Sequence, residues 1–282
     1  MLPDIYLNHF YLLLDQAAFR SLGNCRFLGD EFAIGEARTT LANSGDTWTG
    51  IYFYGQNTYF EFLDASALRL GGATGPAPGG VGLALGTETL GGTSLLLDQL
   101  QAQGRPLAGG LRTRRFQDQD LPWFYCSPMN IFGQESPLNV WLMEYHPDFL
   151  PRWRPELPPN SPQIGRAAVL AKYQRAVLGP GELPPRLLRD VAYLRLSLSP
   201  PVAERAADQL ASFGGTLARG PGWLRWQAQD FWLEITLADA PTPQGLREVG
   251  FHLHTGPTVA QPIEVGVGTL TLGPGPVAKW EF

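Results

Sequence analysis

The sequence predicts an α+β protein assembled from tandem strand–helix–three-strand units. Apolar runs of strand length recur along the chain, punctuated by turns rich in the 33 glycines and 25 prolines of its 282 residues. The order strand, short helix, three strands occurs near the N-terminus and is repeated downstream, and such repetition is more informative than any single motif. A composition of 44% hydrophobic and 17% charged residues suits a soluble globular protein with a large core.

The first unit opens with an apolar strand over residues 5–14 that carries one histidine, His9. A short helical pattern follows over 15–22, then strand patterns over 32–41, 47–54 and 58–63, the last with one carboxylate, Glu61. Residues 66–79 read as a linker ending in Pro and Gly. A second unit then begins: strand 81–85, a helix over 93–100 with Thr93 as N-cap, and strands 107–116, 122–126 and 138–145. Its last strand places Glu144 in the position of Glu61, and alternation puts Glu144 and His146 on one side.

Residues 147–160 are poor in regular structure. A helix is predicted over 161–177, with Ser161 as cap, Pro162 in the first turn, and Ile164, Ala168, Leu170 and Tyr173 on its apolar side. A third unit starts at Asp190: strand 191–198, helix 201–213, then strands 216–218, 223–228 and 231–237. In it Tyr193 falls where His9 did, and Glu234 where Glu61 did. A fourth unit is reduced, because strand 248–254 is followed by short strands 263–267, 269–272 and 277–282 with no amphipathic helix. The chain therefore divides into residues 1–150 with two units, a helix-bearing linker at 151–187, and a reduced second domain at 188–282.

The stretch Leu7-Asn8-His9-Phe10 and the stretch Phe60-Glu61-Phe62, set in the pattern Trp48-Thr49-Gly50, Tyr52-Phe53-Tyr54-Gly55 and Asn57-Thr58-Tyr59-Phe60-Glu61, resemble the glyoxalase / bleomycin-resistance / extradiol-dioxygenase superfamily, the vicinal-oxygen-chelate proteins. The resemblance implies paired βαβββ modules that form cup-shaped sheets, with metal ligands from the first and fourth strands. It points to His9, Glu61 and Glu144, with His146 as a spatial substitute, as ligands of a divalent Fe, Mn, Ni or Zn ion. Such an ion would act as a Lewis acid in a lyase, isomerase or dioxygenase working on a small oxygenated molecule. Glu144 and Tyr54 are the candidate catalytic groups. The pattern departs from the family at Gly80-Val-Gly-Leu-Ala-Leu85, which has no histidine in the second unit's first strand.

That departure favours the alternative: a metal-free binding protein that sequesters an aromatic or hydrophobic compound. Aromatic residues are dense in the first two units, and Tyr11, Tyr52, Tyr59, Trp123 and Tyr125 are the candidate ligand contacts, with Trp48 and Trp141 beside them. Packing within sheets is the competing explanation for such residues. Arg112, Arg114 and Arg115 form a basic cluster on a predicted strand, two of them on one face, where a carboxylate or phosphate could meet them. In the C-terminal half, Glu234, His252 and His254 mark a second candidate site.

A formal net charge of −5 without a basic tract argues against nucleic-acid binding. No apolar run reaches the roughly 18 residues of a membrane span, and no basic segment precedes the first strand as in a secretory signal. Two cysteines, Cys25 and Cys126, cannot build a disulfide framework. The expected setting is the cytoplasm, and the expected partner is a small-molecule ligand or substrate, with homodimerisation left open.

Overall fold

The apolar N-terminal strand becomes β1 (Tyr6–Leu14), the centre of the first of two sheets. The computed structural model describes residues 3–42, 45–70, 73–74, 77–105, 107, 109–116, 119–127, 136–179, 181–239 and 242–282. Parts of the predicted linker (71–72 and 75–76) and position 108 of a predicted strand lie outside the described residues.

After β1 come α1 (Gln16–Gly23), capped by the Asp15 side chain, and a π-helical turn over Leu28–Phe32. That turn takes Phe32 out of the predicted strand, so β2 begins two residues later (Ile34–Leu41). It pairs with β3 (Thr47–Tyr54), β3 with β4 (Tyr59–Asp64), and β4 runs parallel to β1. Two short strands, β5 (Arg69–Leu70) and β6 (Ala73–Thr74), extend this edge.

Next come β7 (Val81–Gly86), α2 (Gly92–Ala102), β8 (Gly110–Phe116), β9 (Gln119–Cys126) and β10 (Leu138–Tyr145). Here β7 is parallel to β10, and β10 continues to β9 and β8. Antiparallel pairing of β1 with β7 joins the two halves of the sheet.

Two helices follow, α3 (Leu150–Trp153) and α4 (Arg166–Leu178). The second starts well after the predicted Ser161, whose hydroxyl instead accepts a hydrogen bond from Gln163 N. Its cap is supplied from outside: the Glu88 carboxylate accepts from Gly165 N (2.7 Å) and Arg166 N (3.2 Å). A carboxylate at a helix N-terminus satisfies orphan amides and complements the dipole, and no local sequence signal carries it.

The second sheet comprises β11 (Leu188–Leu198), then α5 (Pro200–Ser212), β12 (Thr216–Gly220), β13 (Trp223–Gln227), β14 (Trp232–Leu237), β15 (Gly245–Leu253), β16 (Gln261–Glu264), β17 (Thr269–Leu272) and β18 (Val277–Glu281). Its order is β12-β13-β14-β11-β15-β18-β17-β16. Parallel pairing of β11 with β14 needs a crossover, and α5 provides it. No helix separates β15 from β16, so the chain simply meanders and β18 returns antiparallel to β15.

The two sheets share one core. Phe60 and Phe62 of β4 meet Phe251 of β15 and Trp280 of β18, with ring centroids 5.4 Å (Phe60–Phe251) and 5.1 Å (Phe62–Trp280) apart. The pairing is reciprocal. The β3–β4 turn bonds to β11 (Gln56 N to Arg189 O, 2.6 Å; Asn57 N to Asp190 Oδ1, 2.6 Å). The β13–β14 turn bonds in the same way to the start of β1 (Gln229 N to Ile5 O, 3.0 Å; Leu7 N to Asp230 Oδ1, 3.1 Å).

The opposite face of the first sheet is concave and covered. Phe149, Leu150 and Trp153 around α3 and Ile164, Val169, Leu170 and Tyr173 around α4 pack on Tyr11, Tyr52, Tyr54, Trp141 and Tyr145. The predicted linker helix is thus the lid of the N-terminal cup.

Candidate functional site in the N-terminal cup

Alternation fixes which residues enter the cup. Phe10, Leu12, Phe60 and Phe62 face the shared core, so Tyr11, Tyr59, Glu61 and Leu63 face the opposite way. His9 would share a face with Leu7, but a bulge between Leu7 and His9 sends Leu7 to the core and His9 to the cup. His9 stacks on Tyr59 (centroids 4.3 Å apart) and meets Trp141 edge-on at 5.4 Å.

His9 Nε2 lies 3.3 Å from Glu61 Oε1, and both side chains are buried. His9 Nδ1 is 2.8 Å from Asn8 Oδ1. Burial holds the imidazole neutral, with a pKa lowered to about 3. Burial also raises Glu61 to about 7, opposed by the Arg38 charge and a hydrogen bond from Tyr52. Tyr52 Oη in turn accepts a 2.8 Å bond from Trp48 Nε1.

Arg38 lies 4.1 Å above the Tyr52 ring and bonds Glu36 at 2.8 Å, and the same Glu36 oxygen accepts from Tyr54 Oη at 2.6 Å. Desolvation pushes the Tyr11 phenol up to about 12 and raises those of Tyr52, Tyr54, Tyr59 and Tyr145 further, so all stay protonated donors at neutral pH. On the other side of the mouth, Arg114 Nη1 donates to Tyr173 Oη at 3.2 Å, and its guanidinium faces the Trp123, Trp153 and Tyr173 rings at 5.3, 5.6 and 5.9 Å.

The candidate residues do not all converge. Glu144 lies on the core side of β10, because Trp141, Met143 and Tyr145 take the cup side and Val140 and Leu142 the core side. Its two oxygens accept from Gly91 N (2.7 Å) and Thr93 N (2.9 Å), so it caps α2, and Thr93 is inside that helix rather than its cap. Glu144 is therefore corrected from metal ligand and catalytic group to helix cap. His146 follows the end of β10, accepts from Asp148 N at 3.1 Å and packs beside Tyr125, whose ring is 5.1 Å away. Tyr125 is exposed and belongs to neither core cluster, unlike Trp123, which packs against the cup.

Among the described residues, no three His, Cys, Asp or Glu side chains come together in a metal-holding group. The set His9, Glu61, Glu144 and His146 is not assembled in one place, and the second unit offers Gly82, Ala84 and Trp141 to the cup. The basic cluster also divides. Arg112 approaches Asp46 at 3.6 Å and Arg115 approaches Asp120 at 3.3 Å, while Arg114 turns to the cup.

Asn8, Arg38, Tyr145 and Tyr173 complete the site without having been singled out for it. Parity with Trp141 along β10 marks Tyr145; the apolar side of α4 marks Tyr173, but no local pattern marks what that side covers.

In the second sheet Tyr193 stacks on Trp232 (4.0 Å), as His9 does on Tyr59. Glu234 pairs with Arg225 and, at 3.2 Å, with Arg195. His252 is half-buried on β15. His254 falls beyond that strand and is exposed, so the predicted pair does not share a strand face.

Comparison with known proteins gives a family and a fold. A family model described as "Family of unknown function (DUF5829)" matches residues 7–282. No curated protein matches the chain. A solved structure of a hypothetical protein from Staphylococcus aureus matches with a TM-score of 0.57 at 10% identity, over 95% of this chain and 98% of that one. A likeness at that identity concerns the fold alone. No helix among the described residues is long and apolar enough to cross a membrane.

Proposed function

We propose that this chain, which belongs to the DUF5829 family of unknown function, is a metal-free small-molecule-binding protein of glyoxalase-type architecture, with its ligand site in the N-terminal cup. The strand orders β2-β3-β4-β1 and β7-β10-β9-β8, each with its helix after the first strand, support reading both halves of the first sheet as βαβββ modules.

One observation carries the functional reading: the chemical contrast between the two faces of that sheet. The face toward the second sheet is dominated by Leu, Ile, Val and Phe, and the carboxylate it carries, Glu144, is engaged in capping α2. The face under α4 gathers His9, Glu61, Tyr11, Tyr52, Tyr59 and Trp141, with Arg38 and Arg114 at its rim. Burying an ionisable pair costs free energy that an aliphatic pair would not, so packing alone gives no reason for it. Aromatic walls with a few convergent polar groups suit a planar, oxygenated molecule. Phenol hydroxyls and guanidinium groups would orient its oxygens, with Glu61 as the ionisable group beneath them.

Calorimetric titration of phenols, catechols and small aromatic carboxylates tests this. Binding should survive chelator and weaken about tenfold or more in Glu61→Gln and Tyr52→Phe, equivalent to roughly 1.4 kcal/mol or more. Binding that strictly requires a metal would overturn it.

The second reading is a divalent-metal-dependent lyase, isomerase or dioxygenase. It draws on the 3.3 Å approach of His9 and Glu61, two donor types that suit Fe, Mn, Ni or Zn. Elemental analysis of the protein and of His9→Ala separates the two: about one transition-metal ion per chain, lost in the variant, would favour the metalloenzyme.

A further inference from the structure

The second sheet repeats the frame of the first but leaves its concave face open. Arg195, Arg225 and Lys279 on this face have side chains 42%, 43% and 44% exposed. Beneath them, Glu234 and Glu248 are 16% and 11% exposed. Three cations therefore lie above two largely covered carboxylates, with Glu281, 51% exposed, beside Lys279 in the outward layer. Whereas α4 covers the N-terminal cup, a cavity of about 670 Å³ lies open at this end of the C-terminal one.

Its floor is pre-formed. The Tyr193 ring lies directly over Gly250, where a Cβ would come within 1.9 Å of it. Tyr193 is then covered by Trp232 at 4.0 Å, and Trp232 by the Arg225 guanidinium at 4.6 Å. The walls are mostly apolar, from Phe231, Val277 and Pro274, with His252, Thr271 and Lys279 among the polar groups, beside Gln227 and Gln229. Of the charged side chains lining it, Asp230 is already engaged: Oδ1 accepts from Leu7 N and Oδ2 from Arg166 (3.0 Å). Lys279 pairs with exposed Glu281 at 3.0 Å and approaches Glu248 at 4.0 Å. Surface pairs of this kind are weak and exchange readily. The effective charge the cavity offers an occupant is that ammonium.

We propose that this cavity is a second, separate ligand site, for a small monoanion with an apolar, planar body, its carboxylate or sulfonate met by Lys279 and Thr271. The volume falls within the roughly 300–1,000 Å³ of small-molecule sites. The inference is independent of what the N-terminal cup binds.

Fluorescence titration of the full chain with 1-anilinonaphthalene-8-sulfonate, beside neutral 1-anilinonaphthalene, tests it. The sulfonate should saturate one site per chain and bind more tightly than the neutral analogue. Lys279→Met should weaken it by about fivefold or more, as loss of a charge-assisted contact does. Ala260→Trp, which fills the cavity from an exposed lining position, should abolish it, whereas Val259→Trp, exposed and outside the lining, should not. Circular dichroism melts of all variants should match the parent. Equal binding of the two probes, or unchanged sulfonate binding in folded Ala260→Trp, would overturn the proposal.

Discussion

His9 Nε2 and Glu61 Oε1 approach to 3.3 Å inside the cup, and both side chains are buried. Asn8 Oδ1 can only accept, so the 2.8 Å contact places the His9 proton on Nδ1 and leaves Nε2 turned toward Glu61 without one. Unfolded, the same two groups titrate near 6.5 and 4.5; folded, near 3 and 7.

This makes a specific pH prediction. Between pH 4.5 and 6.5 the unfolded pair carries one proton on histidine and the folded pair one on glutamate, so the pair contributes no slope. Below 4.5 the unfolded state binds the extra proton and stability falls toward pH 3; above 6.5 the folded state holds the extra proton and stability falls until pH 7. Glu61→Gln removes the glutamate contribution and exposes that of His9 alone. Relative to the parent, the variant should then lose about 2 kcal/mol between pH 6.5 and 5. Urea denaturation at the two pH values checks it; identical pH dependence in the two proteins would show that the two buried groups are not shifted in opposite directions.

Glu144 sits on β10 in the predicted position of Glu61, yet it acts on α2. Glu144→Ala leaves Gly91 N and Thr93 N without their acceptor and should cost about 1–2 kcal/mol. Ligand affinity in the N-terminal cup, measured by calorimetry, should be unchanged within twofold (~0.4 kcal/mol). A large affinity loss with little change in stability would return Glu144 to the site.

These two carboxylates mark what the sequence made legible. Strand alternation is local, so Phe60-Glu61-Phe62 reveals that Glu61 faces away from two core phenylalanines. The same alternation at Val140-Trp141-Leu142-Met143-Glu144 puts Glu144 with Val140 and Leu142 on the core side, and strand order alone does not carry that parity, because a one-residue offset reverses the face. The start of α4 was not legible, because its capping carboxylate, Glu88, is 77 residues away in sequence from Gly165. That α4 has an apolar side was readable from Leu170 and Tyr173. That this side closes the cup depends on the chain turning back over β3, where Gln174 Nε2 bonds Gly55 O at 2.9 Å, and no local pattern encodes such a return.

Arg166 joins three parts of the molecule. Its guanidinium pairs with Glu88 (2.7 Å) and Asp230 (3.0 Å) and donates to Leu7 O (2.6 Å). Arg166→Met removes the cation and leaves two half-buried carboxylates and a buried carbonyl. Destabilisation should reach about 3 kcal/mol, with Arg166→Lys recovering part of it, since one ammonium cannot reproduce the fork. Chemical denaturation of the three proteins checks the order parent, Lys, Met. A Met variant as stable as the parent would show that the network contributes nothing net.

Gly82 tests whether the cup floor is built to fixed dimensions. It pairs with Tyr11 across β7 and β1, and a Cβ placed there would lie 2.0 Å from the Tyr11 ring. The Tyr11 ring leans over the glycine as Tyr193 leans over Gly250 in the second sheet, so both cups use a missing side chain to lay a phenol flat. Gly82→Ala does not violate backbone preferences in a strand; its effect is steric. It should lift the Tyr11 ring toward Trp141, whose centroid is 5.7 Å away, and cost about 1–3 kcal/mol. The double variant Gly82→Ala, Tyr11→Ala makes room for the methyl group, so its coupling energy should be favourable by about 1 kcal/mol or more. Denaturation of the four proteins in the cycle measures that coupling. A value near zero would mean that the ring is free to move and that the cup floor is not set by this contact.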